Sequence, residues 1–151
     1  MSRLAVVVAL ATLPFIALGG LGWGWWPLNI MFTLLVATGV TYLAERGSPA
    51  SRILAVGLFV LGGAFVEFWW PALAIAAGAW GYFRRPNWTA LLFALAGLVA
   101  LYVINKNLWA LAALPLVVLA SRIETPVHRM RWVFYAFYPL HLAIIWLVRS
   151  A

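Results

Sequence analysis

The stretch Arg131–Arg149, RWVFYAFYPLHLAIIWLVR, decides how this chain is read. Between its two arginines runs an apolar segment, Trp132–Val148, with no internal charge. A run of that length and character reads as a membrane-spanning helix. Pro139 removes one backbone hydrogen bond from it and loosens the preceding turn. Tyr135, Tyr138 and His141 cluster around that point. Polar groups at membrane depth are expensive, so the cluster is a candidate functional site. The plainer reading is that these side chains only bond neighbouring helices.

Composition carries the same reading to the whole chain. Of 151 residues, 67% are hydrophobic and only 9% charged. That balance excludes a water-soluble domain and points to a polytopic membrane protein, one transmembrane helical domain over 1–151. Cysteine is absent, which excludes disulfides, thiolate metal sites and cysteine nucleophiles. The net charge of +7 is a topology and headgroup signal, not a nucleic-acid footprint. The ten tryptophans suit membrane–water boundaries, where the ring is buried and the N–H stays wet.

Outward from the last segment, seven apolar stretches can be marked: Leu4–Leu18, Leu28–Ala44, Ile53–Val66, Ala72–Phe83, Ala90–Ile104, Leu108–Ala120 and Trp132–Val148. The expected fold is an all-α integral membrane bundle of about seven short transmembrane helices. Several stretches fall short of the ~20 residues of a full span, so flanking Trp, Tyr and Asn must complete the crossing or the bilayer must thin. The breaks are chemically distinct. They are a Gly/Trp turn from Gly19 to Pro27, Glu45–Pro49, Glu67–Pro71, Arg84–Asn87, Asn105–Asn107 and the long loop Ser121–Arg131. With the N-terminus cytoplasmic, Arg3, Arg46, Arg52, Arg84, Arg85, Arg122, Arg129 and Arg131 fall inside, and only Lys106 and Arg149 outside. That asymmetry predicts N-in, C-out. Met1-Ser2-Arg3 before an apolar run also resembles a signal peptide, but Pro14 and the lack of a small-residue cleavage site argue for retention.

No Walker loop, dinucleotide fingerprint, H-E-x-x-H or nucleophile elbow is present. His128 and His141 lie too far apart in the chain to read as a metal pair, so no metal is expected. The three acids lie outside the apolar segments, which disfavours a carboxylate relay for transport. Glu67 reads as a solvated residue at the outer edge of the third segment. His141 is a candidate general base, because a neutral imidazole is cheap to bury and accepts a proton from an amine or hydroxyl. Tyr138 and Asn29 are candidates to orient it. Asn29 and Thr33, one turn apart, alternatively make a helix-start hydrogen bond. Arg129 and Arg131 are candidates for an anionic headgroup or nucleotide phosphate, with an ordinary positive-inside role as the alternative. Gly57, Gly62, Gly63 and Gly78 form small-residue faces that either dock a partner or pack the bundle internally.

These residues also carry a family resemblance. Phe134–Leu142 closely resembles the FYxFYPLHL motif of the TraX family, and Leu28–Leu34 its LNxxFTL segment. Glu67–Arg84 is similar in character to the family's middle part. The resemblance implies a bacterial inner-membrane protein, named for a pilin N-acetylase and distantly similar to multi-pass acyltransferases. Family members carry about two further N-terminal helices with an Asp-His pair and a GRxxFPxFxFLLAEG-like stretch, and this chain is expected to start after them. Two functions follow. One is a non-catalytic accessory subunit packed against a larger integral membrane complex, with bound lipid. The other is an acyltransferase that uses cytoplasmic acetyl-CoA or another acyl-CoA to modify an amine or hydroxyl.

Overall fold

The computed structural model describes residues 2–19, 29–107, 109–112, 114–115, 119 and 131–150. Among them lie six α-helices: α1 (Ser2–Ala17), α2 (Ile30–Glu45), α3 (Pro49–Phe65), α4 (Trp69–Arg84), α5 (Trp88–Asn105) and α6 (Arg131–Ser150). A 3-10 turn spans Trp109–Ala112. The described part is all-helical, as expected. The sixth apolar stretch, Leu108–Ala120, contributes that 3-10 turn and otherwise falls largely outside the described residues. So do most of the Gly/Trp turn and the loop that holds Arg129.

Local chemistry sets the helix boundaries. Ser48 caps α3 by accepting the Ser51 N–H at 3.1 Å, and Pro49 occupies the first helical turn, where its missing N–H costs nothing. Gly47 before it adopts φ +71°, a backbone conformation that favours glycine. Asn87 caps α5 through the Ala90 N–H at 2.7 Å. Lys106 closes α5 in the left-handed region at φ 54°, its N–H bonded to the Tyr102 carbonyl. α6 continues through Pro139.

The chain divides into two compact units, Met1–Trp69 with Met130–Ala151, and Trp70–Arg129. In the first, α1 packs on α2 and on α6, and α2 packs on α3. One core cluster in it is Val8, Ala11 and Met31, with Tyr138 among the side chains against it. Gly62 lets α3 approach α2: a Cβ there would lie 2.6 Å from Val36 Cγ1. In the second unit α4 and α5 meet almost backbone to backbone. A Cβ on Gly78 would lie 2.6 Å from the Ala94 nitrogen and 2.8 Å from the Ala90 oxygen.

On α3 and α5 burial follows side-chain size rather than polarity. α3 buries Ser51, Ala55, Gly62 and Gly63, while Ile53, Leu54 and Leu61 lie exposed. α5 buries Gly97 and exposes Leu92, Val99 and Val103. Helix α5 is long and apolar enough to cross a membrane, and Leu4–Ala17, Pro49–Phe65 and Ala136–Val148 form shorter apolar helices.

Candidate functional site

The site is built on the amino end of α2. Asn29 caps that helix, with Oδ1 accepting the Phe32 N–H at 3.2 Å. Its Nδ2 donates to Thr12 Oγ1 of α1 at 3.0 Å. The Thr12 hydroxyl in turn donates to the Val8 carbonyl at 2.8 Å. Asn29 is 1% exposed, and Val66, just past the end of α3, is fully buried. A helix start and a helix finish therefore sit inside the protein, where each backbone polar group needs a partner.

The cap leaves the Ile30 N–H without a helical acceptor. Two side chains converge on it. The Glu67 carboxyl, in the turn between α3 and α4, interacts with this N–H, as does the Tyr138 hydroxyl of α6. Glu67 also acts electrostatically on Tyr138. Burial pushes the Glu67 carboxyl above its ordinary value of 4.5, and the Ile30 N–H only partly offsets this. One turn along α2, Thr33 is 4% exposed, and its Oγ1 has no hydrogen-bond partner among the described residues.

The sequence-predicted residues divide accordingly. Tyr138 is brought to the cluster. Asn29 is there too, with its Oδ1 on the Phe32 N–H and its Nδ2 on Thr12. His141 is exposed; its ring stacks on Phe137 at 5.7 Å between centroids and lies 6.3 Å from that of Tyr138. Glu67 is half-buried rather than solvated, because the turn that carries it is drawn in beside Val66. Arg129 lies outside the described residues, and Arg131 begins α6. Of the glycines expected to dock a partner, Gly62, Gly63 and Gly78 are buried and Gly57 faces open space. Among the described residues no group of acids and histidines could hold a metal ion. Sequence reasoning missed Thr12 and the Ile30 amide. Thr12 is the lone hydroxyl of the first apolar stretch, and that isolation was the available signal.

An open apolar groove of about 520 Å³ runs between α1 and α6. Leu10, Pro14 and Ala17 line one wall, and Pro139, Ala143 and Trp146 the other.

A family model described as TraX protein matches residues 1–149, nearly the whole chain. The chain belongs to the TraX family. Neither the curated proteins nor the solved structures yield a match. In this TraX-family chain the motif FYxFYPLHL supplies Tyr138, and LNxxFTL supplies Asn29, Ile30 and Thr33. The two stretches that carry the family resemblance thus meet at one place. Chemically, that place combines a carboxyl of raised proton affinity, a phenol and a backbone N–H. Such a set can take a proton from a nucleophile and hold a developing oxyanion.

Proposed function

We propose that this TraX-family protein is an integral membrane acyltransferase, acting on an amine or hydroxyl with a donor of the acyl-CoA class. The observation that carries this reading is the convergence of Glu67 and Tyr138 on the Ile30 N–H. Glu67 takes the proton as the acceptor attacks the thioester carbonyl. The Ile30 N–H and the Tyr138 hydroxyl face the carbonyl oxygen as it gains charge. The C–S bond then breaks, and the thiolate leaves with the proton that Glu67 returns. Arg129 and Arg131 are proposed for the donor's phosphates, and exposed His141 for the approach of the acceptor.

The membrane setting is supported by the inverted burial pattern. On α3 and α5 small and hydroxyl residues are buried while leucine, isoleucine and valine lie exposed, as expected where lipid rather than water is the solvent. The distribution of arginines supports an inner-membrane orientation with the N-terminus cytoplasmic and the C-terminus periplasmic. The test is transfer of labelled acetyl from acetyl-CoA to amine or hydroxyl acceptors in vesicles containing the protein. Glu67→Gln should abolish labelling and Tyr138→Phe should reduce it. Equal labelling by wild type and Glu67→Gln would sink the assignment.

One observation favours a second reading, the non-catalytic accessory subunit of a larger membrane complex. Gly57 and the exposed Ile53, Leu54 and Leu61 leave an open face on α3. Gly57→Leu would then release the protein from its assembly while leaving it folded. Migration of the wild type as a lone monomer after gentle extraction removes this reading.

A further inference from the structure

Thr12 belongs to none of the residues that face the reacting groups, yet it holds the only side-chain bond described between α1 and α2. Its geometry is one-directional. The hydroxyl proton is given to the Val8 carbonyl, so the oxygen is left as an acceptor aimed at Asn29 Nδ2. Asn29 Oδ1 is occupied by the Phe32 N–H, and the Asn29 carbonyl accepts from Phe32 and Thr33. The Asn29 side chain is therefore fixed at both ends, and the next peptide unit carries the Ile30 N–H. We propose that Thr12 is a positioning residue, which through Asn29 fixes the amino end of α2 so that the Ile30 N–H stays directed at Glu67 and Tyr138.

This inference rests on the acyltransferase reading for its purpose but not for its test. A backbone N–H facing a carboxylate favours the charged form, and its withdrawal weakens the acid. Besides burial, the group that acts on Glu67 is the Ile30 N–H from α2, and Glu67 in turn acts on the Tyr138 hydroxyl of α6. The chain's three acidic residues are all glutamates, Glu45, Glu67 and Glu124. Carboxyl-13C-glutamate labelling therefore yields three carbons, and comparison with Glu67→Gln isolates one.

The experiment is a 13C titration of Glu67 in full-length protein in nanodiscs, for wild type, Thr12→Val and Thr12→Ser. Thr12→Val removes the acceptor at nearly constant volume and should raise the Glu67 midpoint by about half a pH unit or more, the scale of one lost N–H. Thr12→Ser keeps the acceptor and should restore the wild-type midpoint. Asn29→Ser breaks the same link from the other side, because serine still caps α2 but is too short to reach Thr12; it should reproduce the rise and stands in if Thr12→Val fails to fold. An unchanged midpoint in folded Thr12→Val or Asn29→Ser overturns the proposal. If no variant and no wild-type sample transfers acyl groups, the acyltransferase reading fails while the titration still decides the role of Thr12.

Discussion

Asn29 and Thr12 are joined side chain to side chain at 3.0 Å across the α1–α2 contact, and the same asparagine caps α2. Two independent stabilising roles thus fall on one residue that is almost wholly buried.

Asn29→Ala should therefore destabilise the protein by about 2–3 kcal/mol, combining about 1 kcal/mol or more for the cap with a similar amount for the cross-helix bond. Asn29→Ser retains the cap and should recover roughly half of that loss. Thermal unfolding of detergent-solubilised protein measures both. Equal melting of Asn29→Ala and wild type would show that the cap contributes nothing.

Thr33→Val should leave stability unchanged or raise it. The Thr33 hydroxyl is buried with no partner among the described residues, and such a group costs about 1–3 kcal/mol. Valine has nearly the same shape and no polar atom to desolvate. A clear fall in melting temperature would mean that the hydroxyl has a partner in solution.

Three glycine substitutions should separate by mechanism. Gly78→Ala drives a methyl onto the backbone of α5 and should destabilise by about 1–3 kcal/mol or more, since backbone cannot step aside. Gly62→Ala meets Val36, whose branched side chain has few rotamers. It should cost a comparable amount, relieved when Val36→Ala is added. Gly57→Ala meets open space and should stabilise by up to about 1 kcal/mol through helix propensity. Melting of the single and double variants decides the set. A destabilising Gly57→Ala would place that glycine in a contact.

Glu67 makes stability depend on pH. Its folded carboxyl holds its proton above the ordinary value of 4.5, so folding favours the protonated form. The contribution is fully present below 4.5 and is lost as pH rises through the folded value, because in that window the unfolded chain has already released the proton. Melting temperature should decline across that window in wild type. Glu67→Gln should flatten this part of the profile, and an unaltered profile in that variant would place the dependence elsewhere.

Much of the fold was legible because helix ends are written locally. Ser48 followed by Pro49, Asn87 three residues before Ala90, and the polar Asn105–Asn107 break each carry their own capping chemistry within a few residues. The site was legible only in pieces. Asn29 and Tyr138 stood out as polar residues in apolar stretches, but nothing local says that Ile30 will present its N–H to both Glu67 and Tyr138. Glu67 beside Phe68, Trp69 and Trp70 reads equally as a wet membrane edge or as an acid folded inward, and long-range packing decides between them. Gly62 and Gly78 posed the same ambiguity, because a small residue serves an inner or an outer contact equally well until its neighbours are known.

The groove between α1 and α6 has a mechanical consequence. Pro14 stands on one wall and Pro139 on the other. Each lacks an N–H, so the carbonyls four positions earlier, at Leu10 and Tyr135, have no helical donor. Both helices are therefore locally short of one rung, along the same seam. A missing rung is where a helix bends most readily, so any bend in α1 and any bend in α6 would fall on facing walls of the same groove.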